Sequence, residues 1–268
     1  MYKLDTAQVE NAIKMDVIQL PYRLLLIGSD LLLVQAARCF VTHGFSVHVM
    51  LPTHAVEPGV YAGLKRLNVP VSWFDTITSD AAFETAKSLD VHYIATLVFD
   101  ERVPTAFCAL ASIAALNIHP SPLPEVRTGN AWFWPVRLGL KDSALCVHRL
   151  TPEWDAGDIV YTHPFELGPH DTQGVYYERV QRALGPCCEG LAGLLATGAV
   201  TGHPQGAGRY YPKLRVKDIL VDWSETSASI DALVRACNPY HFAETQFRRL
   251  HVYVIDVTPV GAEDAVWA

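Results

Sequence analysis

Apolar runs alternate with amphipathic segments along the first part of the chain. The runs that predict strands are YRLLLIG, FSVHVML, VPVSWF, VHYIATLVF and ASIAALNIHP, and the segments with apolar residues at helical spacing are LLLVQAARCFVTHG, VYAGLKRLN and DAAFETAKSLD. Strands that alternate with helices usually form βαβ units, in which parallel strands share one sheet. The pattern therefore predicts an α/β fold around a parallel sheet.

The pattern changes beyond residue 140. ALCVHRL and DIVYTHPFEL predict two further strands with the loop TPEWDAG between them, and TQGVYYERVQRALGPCCEGLAGLLATG predicts a long helix that ends at a glycine. The Gly- and Pro-rich segment GHPQGAGRYYP predicts a linker, and a small unit with one helix and one or two strands follows it. We therefore divide the chain into an N-terminal extension (1–21), a main domain (22–200) and a linker with a small C-terminal subdomain (201–268).

Composition argues against several kinds of partner. The 21 basic and 28 acidic residues give a net charge of −7, so no overall positive field attracts nucleic acid or an anionic membrane. The leader MYKLDTAQVENAIKMDV lacks the apolar stretch of a signal peptide, and the run LLLIGSDLLLVQAA is interrupted by Asp30 and too short to cross a bilayer. The 6 cysteines include no CxxC pair, which indicates reduced thiols. These features predict a cytoplasmic protein with no nucleic-acid or membrane partner.

Several common catalytic motifs are missing from the sequence. The turn GSD after the first strand has one glycine where a dinucleotide-binding loop has GxGxxG. The four histidines between residues 148 and 203 lack the HExxH spacing of a metal site, and no GxSxG nucleophile elbow is present. Metal and serine-hydrolase chemistry are therefore disfavoured, and we expect no metal.

A more specific signal comes from Asn117, His119 and Asp155. In sheets of this kind ligands bind outside the carboxyl ends of the strands, where a strand over ASIAALNIHP delivers Asn117 and His119 on one face. An asparagine amide can hold a carbonyl oxygen as it becomes negative, and an imidazole supported by a carboxylate can be held protonated or can pass protons. Together they suit direct transfer of an acyl group. From Asn-x-His alone, a histidine bonded for structural reasons stays an open alternative.

The motifs around these residues resemble a known family. NIHPSPLP, the tryptophan-bearing loop after it and DAGDI resemble the family pattern N-x-H-x-S-L-L-P, an arginine- and glycine-containing loop, and D-x-G-D/Q about three dozen residues on. Asp155 follows His119 by 36 residues (155 minus 119). The family is that of the 10-formyltetrahydrofolate-dependent formyltransferases, which includes the glycinamide ribonucleotide, methionyl-tRNA and sugar-amine formyltransferases. YYPKL, VDWSE and RACNPY resemble its patterns beyond the catalytic domain.

This resemblance implies a fold and an activity. It implies a Rossmann-like, mostly parallel sheet with helices on both faces, and a small C-terminal OB-like β subdomain, complete or incomplete. It implies transfer of a formyl group from 10-formyltetrahydrofolate to an amine, with Asn117 and protonated His119 holding the oxyanion while Asp155 keeps His119 charged. The folate contacts that it implies are Glu101, Arg102, Val103, Pro122, Leu123, Glu153, Trp154 and Gly157.

The acceptor is left open by the motifs. Pro122 stands where the family usually has leucine, Thr128 stands near its usual loop glycine, and His241 and Phe242 depart from the commoner N-P-x-P-G-A. We expect a small-molecule or carrier-bound amine, with a further domain or a carrier protein as a candidate partner. Two alternatives stay open: a hydrolase-type domain that uses water, as in formyltetrahydrofolate dehydrogenase, and an N-terminal tailoring domain of a peptide synthetase.

The prolines of NIHPSPLP explain why this segment is so constrained. Pro120, Pro122 and Pro124 have fixed φ angles and bias the residues before them towards extended forms. We expect this stiffness to hold Asn117 and His119 in place. The sequence WFW that follows predicts the start of a helix with its apolar face on the sheet, and stacking on the pterin or the acceptor is the alternative.

Overall fold

A seven-stranded sheet forms the centre of the molecule in a computed structural model that describes residues 19–258. The strands of the chain are β1 (Arg23–Gly28), β2 (Ser46–Pro52), β3 (Val71–Phe74), β4 (Tyr93–Leu97), β5 (Ala114–His119), β6 (Arg127–Thr128), β7 (Asp142–Arg149), β8 (Ile159–Glu166), β9 (Tyr210–Tyr211), β10 (Ala243–Phe247) and β11 (Leu250–Val254). The order in the sheet is β3-β2-β1-β4-β5-β7-β8.

The sheet is mostly parallel, as predicted. Strands β1 to β5 pair in parallel, whereas β7 is antiparallel to both β5 and β8. The chain moves outwards from β1 to β3 and then returns to the other side of β1 with β4. The order of the strands therefore reverses between β1 and β4, and such a switch point opens a crevice at the carboxyl ends of the strands.

Helices cover both faces of the sheet, which confirms the Rossmann-like α/β prediction. The helices are α1 (Leu32–Thr42), α2 (Val60–Arg66), α3 (Asp80–Ser88), α4 (Thr105–Cys108), α5 (Trp134–Arg137), α6 (Gln173–Ala196) and α7 (Ser227–Cys237). One apolar cluster holds Phe40 of α1 and Leu191 of α6, and a second holds Ala86 of α3 and Phe107 of α4. Helix α6 is followed by Gly198 at φ 71°, the left-handed position that commonly ends a helix.

Residues 201–258 contain one α-helix, a short 3-10 helix (Val216–Asp218), the short strand β9, which pairs with β6, and one antiparallel pair of strands. Strands β10 and β11 form this hairpin, and Leu233 and Cys237 of α7 belong to the same apolar cluster as the sheet. The small subdomain thus has the predicted elements, while its OB-like form and the division at residue 201 stay predictions. Most of the predicted extension over 1–21 lies outside the described residues.

Two further findings concern membrane-spanning helices and the cysteines. Among residues 19–258, no helix is long and apolar enough to cross a membrane. All 6 cysteines are free thiols, and Cys146, Cys187, Cys188 and Cys237 are buried. The reduced state of the thiols and the cytoplasmic location stay predictions.

Candidate active site

A cavity of about 580 Å³ opens at the carboxyl ends of the central strands. Ser29 directly follows β1, Val98 directly follows β4, and both line the cavity. Val98 has φ 49°, a left-handed conformation that is strained for a β-branched residue. Such strain costs on the order of 1–3 kcal/mol and concentrates at functional sites. The cavity therefore occupies the crevice that the strand order creates.

Asn117 and His119 lie on one wall of this cavity. They are two residues apart on β5, so the alternation of a strand places both side chains on the same face. His119 is 4% exposed and Asn117 is half-buried. The structure thus brings together the first two residues of the predicted triad.

Asp155 completes this group from the loop between β7 and β8. Its carboxylate is 7% exposed, its Oδ2 accepts from the Thr128 backbone N–H at 3.0 Å, and its Oδ1 lies 3.6 Å from His119 Nδ1. The backbone has φ 53°, a left-handed conformation that aspartate tolerates better than most residues. Gln205 Nε2 donates to the Asp155 carbonyl at 2.8 Å and to the Gly157 carbonyl at 2.6 Å, which holds the loop in this conformation.

The hydrogen bonds of His119 define which ring nitrogen carries the proton. Ser121 Oγ donates its hydrogen to the Val126 carbonyl at 2.7 Å, so it accepts from His119 Nε2 at 2.6 Å. Nε2 also lies 3.4 Å from the Val126 carbonyl, which can only accept. Nε2 is therefore the protonated nitrogen, and in the neutral ring Nδ1 presents a lone pair towards Asp155.

Burial and neighbouring polar groups shift the pKa values of both His119 and Asp155. Burial lowers the pKa of His119 below its usual value of 6.5, and Asp155 opposes this only in part. Burial acts in the opposite sense on Asp155, but the neighbouring histidines and the Thr128 N–H outweigh it, so the pKa of this carboxyl lies below its usual value. These directions favour an ionised Asp155 beside a neutral His119 before the substrates bind. That Asp155 keeps His119 protonated stays a prediction, since burial and the carboxylate act on the pKa of the ring in opposite directions.

Two polar residues that sequence reasoning missed lie beside the triad. His148 of β7, 2% exposed, and Thr96 of β4 are the register partners of Asn117 on either side. Thr96 Oγ1 donates to Asn117 Oδ1 at 2.8 Å, and Asn117 Nδ2 lies 3.1 Å from His148 Nε2. In the sequence His148 is one of several histidines without a motif spacing. Only the antiparallel register of β5 with β7 brings it to the site.

The loop after β4 supplies part of the expected folate site. Glu101, Arg102 and Val103 all line the cavity, and so do Glu153 and Trp154 of the opposite loop. The Arg102 guanidinium carbon lies 5.3 Å from the Trp154 ring centroid, a cation–π distance that joins the two loops.

The Glu101 carboxylate has one oxygen with partners and one without. Its Oε2 accepts from Thr76 Oγ1 at 2.6 Å and from the Ile77 N–H at 3.0 Å. Its Oε1 is buried and has no hydrogen-bond partner among the described residues. A buried carboxylate oxygen without a donor is costly, so Oε1 is suited to accept from a bound ligand.

Three of the expected folate contacts are not brought to the cavity wall. Pro122 and Leu123 are absent from the lining, and Leu123 packs against Ala144 and Cys146 instead. Gly157 also lies off the wall, and a Cβ there would lie 1.9 Å from the Arg149 carbonyl oxygen. Gly157 thus allows the loop that carries Asp155 to approach β7 closely.

The segment after residue 201 supplies another part of the wall. Tyr210, Lys213, Leu214 and His241 line the cavity, and none of them was among the predicted site residues. The predicted helix after NIHPSPLP is short: it begins at Trp134, and Phe133 before it is fully buried, as the packing prediction required. Within residues 19–258, no cluster of three or more His, Cys, Asp or Glu side chains is arranged to hold a metal ion.

Two family models match this chain. The formyl transferase model matches residues 75–185, and the model of the formyl transferase C-terminal domain matches residues 213–266. Together these segments cover more than half of the chain. The chain belongs to the formyltransferase family. The resemblance read from the motifs is thereby confirmed, and Asn117, His119 and Asp155 all lie inside the first matched segment.

Curated relatives of this family member are methionyl-tRNA formyltransferases. The enzyme of Bacillus pumilus is 22% identical over 256 residues, which cover 90% of this chain and 80% of the relative. That of Acidithiobacillus ferrooxidans is 26% identical over 201 residues, which cover 74% of this chain and 64% of the relative. This chain therefore matches less than two thirds of the length of the second relative.

Solved structures in the family share the fold. A sugar N-formyltransferase from a Shewanella species superposes with a TM-score of 0.72 at 16% identity, covering 90% of this chain and 99% of that chain. HypX from Aquifex aeolicus in complex with tetrahydrofolic acid superposes with a TM-score of 0.65 at 18% identity, covering 88% of this chain and 37% of HypX. At these identities the likeness shows a common fold.

Proposed function

We propose that this chain is an N-formyltransferase that moves a formyl group from 10-formyltetrahydrofolate to the amine of a small-molecule or carrier-bound acceptor. The observation that carries the proposal is the placement of the Asn117 amide and the His119 ring on one cavity wall, beside the buried, ionised Asp155. Amide donor, proton acceptor and fixed negative charge are the groups that direct acyl transfer needs.

We place the folate in the part of the cavity that Glu101 and Trp154 line. The unpartnered Glu101 Oε1 matches the N–H donors that a reduced pterin presents. Arg102 and Trp154 give the same end a flat aromatic surface with a positive charge over it. HypX, which has the same fold, is in complex with tetrahydrofolic acid, and this supports a folate as the co-substrate. We propose Glu101, Arg102, Val103, Glu153 and Trp154 as folate contacts.

Asn117 stabilises the developing negative charge in this mechanism. Its Oδ1 accepts from Thr96 and its Nδ2 lies 3.1 Å from His148 Nε2, which leaves one Nδ2 hydrogen to offer to the cavity. When bound, 10-formyltetrahydrofolate supplies the formyl carbon, whose oxygen becomes negative as the amine attacks. A neutral donor that is already oriented and partly buried stabilises this charge without reorganisation.

His119 moves the proton. The unprotonated Nδ1 of the neutral ring accepts the proton that the attacking amine loses, and Asp155, 3.6 Å away, stabilises the imidazolium that results. The proton then passes to the folate nitrogen as its bond to the formyl carbon breaks. The amine gains the formyl group and loses one proton, and the folate gains that proton, so the exchange balances without a metal.

Residues after position 201 line another part of the cavity. We assign the acceptor to this part. Tyr210, Lys213 and His241 offer polar groups there, and Trp132 offers an aromatic face. An acceptor tethered to a carrier protein, or to a further domain, enters by the same side in this proposal. The net charge of −7 argues against transfer RNA as the acceptor.

The test follows release of tetrahydrofolate by absorbance, with and without acceptors. The panel contains amino sugars and their nucleotide-linked forms, hydroxylated ornithine, carrier-bound amino acids and aminoacylated initiator transfer RNA. We expect slow release in buffer and a large stimulation by an amine. Release in plain buffer at the best amine rate supports the hydrolase instead, and efficient, salt-sensitive formylation of transfer RNA contradicts the proposed acceptor class.

A further inference from the structure

His148 is a buried histidine that the proposed reaction does not use. It lies on β7 directly opposite Asn117 of β5, and it is 2% exposed. Its Nε2 lies 3.1 Å from Asn117 Nδ2 and 3.6 Å from Asp155 Oδ1, and its ring centroid lies 6.2 Å from that of His119. It thus contacts the amide at one end of the triad and faces the carboxylate at the other.

The hydrogen bonds of His148 define its tautomer. Its Nδ1 lies 2.9 Å from the Arg149 carbonyl oxygen, which can only accept, so Nδ1 carries the proton. In the neutral ring Nε2 then carries the lone pair and accepts from Asn117 Nδ2. For the neutral ring, the directions in this row of hydrogen bonds follow: Thr96 donates to Asn117, Asn117 donates to His148, and His148 donates to Arg149.

This row removes the usual freedom of an asparagine amide to rotate by half a turn. The hydroxyl of Thr96 can donate or accept, so Thr96 alone does not distinguish the two orientations of Asn117. In the reversed orientation Asn117 Oδ1 faces the lone pair of His148 Nε2, and two acceptors repel each other. His148 is the group that decides which end of the amide is the nitrogen.

We propose that His148 is a positioning residue, which sets the orientation of the Asn117 amide so that one Nδ2 hydrogen is bonded to His148 and the other faces the reacting carbonyl. The proposal rests on the proposed function, since it assumes that Asn117 stabilises the formyl oxygen. It assigns no proton transfer to His148. Misplacing an oriented donor by a small distance costs up to about a hundredfold in rate, so the effect belongs to kcat.

Two substitutions separate this role from a structural one. His148→Asn keeps a donor close to the position of Nδ1 and removes the acceptor, whereas His148→Gln places an amide oxygen close to the position of Nε2. We expect His148→Asn to lower kcat roughly tenfold to a hundredfold with little change in the folate KM, and His148→Gln to restore most of the rate. If His148 only holds the Arg149 carbonyl, His148→Asn keeps a higher kcat than His148→Gln. That ranking of the two kcat values overturns the proposal.

A double-mutant cycle with Asn117→Ala tests whether His148 acts through Asn117. In the Asn117→Ala background we expect His148→Asn to change kcat by less than about twofold, because the amide that it orients is absent. Equal losses in the two backgrounds mean that His148 acts independently and overturn the proposal.

An NMR measurement decides the proposal even if no formyl transfer is found. The ¹⁵N shifts of His148 in the folded protein, assigned by comparison with His148→Gln, report which nitrogen is protonated. We expect the Nδ1–H tautomer and a side-chain amide resonance of Asn117 that shifts in His148→Asn. An Nε2–H tautomer removes the acceptor on which the inference depends. A wild type with the expected tautomer and no transfer to any acceptor contradicts the proposed function alone.

Discussion

Asp155 Oδ1 faces His119 Nδ1 across 3.6 Å, and both side chains are almost fully buried. The other ring nitrogen, Nε2, already donates to Ser121 Oγ, so the nitrogen beside the carboxylate is the one left to gain a proton. Burial lowers the pKa of the ring, and in the proposed mechanism Asp155 stabilises the charge that the transferred proton brings. The pair is arranged to accept a proton, so we expect the rate of formyl transfer to depend on pH.

Asp155→Asn should shift the acid limb of the pH–rate profile to lower pH. In the proposed mechanism the active form of His119 is unprotonated; burial lowers its pKa below 6.5, and Asp155 raises it, as does the Val126 carbonyl to a smaller extent. Removing the carboxylate charge lowers the pKa further, so activity persists to lower pH, while the maximal kcat falls roughly a hundredfold or more. The measurement is kcat/KM against pH for both proteins, and an acid limb that does not move contradicts this role of Asp155.

Asn117→Ala and His119→Ala should each reduce formyl transfer while leaving folate binding nearly intact. Both groups act on charge and protons that appear only in the transition state, and one lost oxyanion donor costs on the order of 3 kcal/mol, or about a hundredfold. Single-turnover rates and the folate Kd are measured together. If either variant keeps more than roughly a tenth of the rate, its assigned role is wrong.

Glu101→Gln should weaken folate binding. The amide oxygen is expected to take the place of Oε2, where Thr76 and Ile77 donate, so the amide NH₂ takes the place of the buried, unpartnered Oε1. It then meets the pterin N–H groups as a second donor, which raises the folate Kd by roughly ten- to a hundredfold. Glu84→Gln, an exposed carboxylate on α3, is the matched control. Equal Kd values for the two variants argue against Glu101 as a pterin contact.

Gly157→Ala should disturb the Asp155 loop. A Cβ at residue 157 lies 1.9 Å from the Arg149 carbonyl oxygen, so the backbone must shift, at a cost of roughly 1–3 kcal/mol in the free energy of unfolding. The shift moves Asp155, two residues earlier, and kcat falls with it. Gly193→Ala on α6 has nothing within 4 Å of the new Cβ and serves as the control. Thermal unfolding and kcat of both variants are compared, and a Gly157→Ala protein as stable and active as the control refutes the close-packing argument.

Local chemistry was enough to predict which two polar residues of β5 share a face at the cavity. Asn117 and His119 share a face because side chains alternate along any strand, whatever surrounds it. The succession of apolar strands and amphipathic helices likewise predicted the parallel part of the sheet and the helices on its two faces. The spacing from His119 to Asp155 matches the pattern of the formyltransferase family, and this resemblance pointed to the loop that returns to β5.

Contacts between distant segments decided the rest. His148 meets Asn117 only because β7 runs antiparallel to β5 in one register, and a shift of that register by one residue would turn it to the other face. Leu123, adjacent to the cavity in sequence, packs against Cys146 instead. The charge of His119 is also a tertiary property. Its pKa depends on how completely the fold removes water from the ring, and hydration of a side chain is set by every segment that covers it.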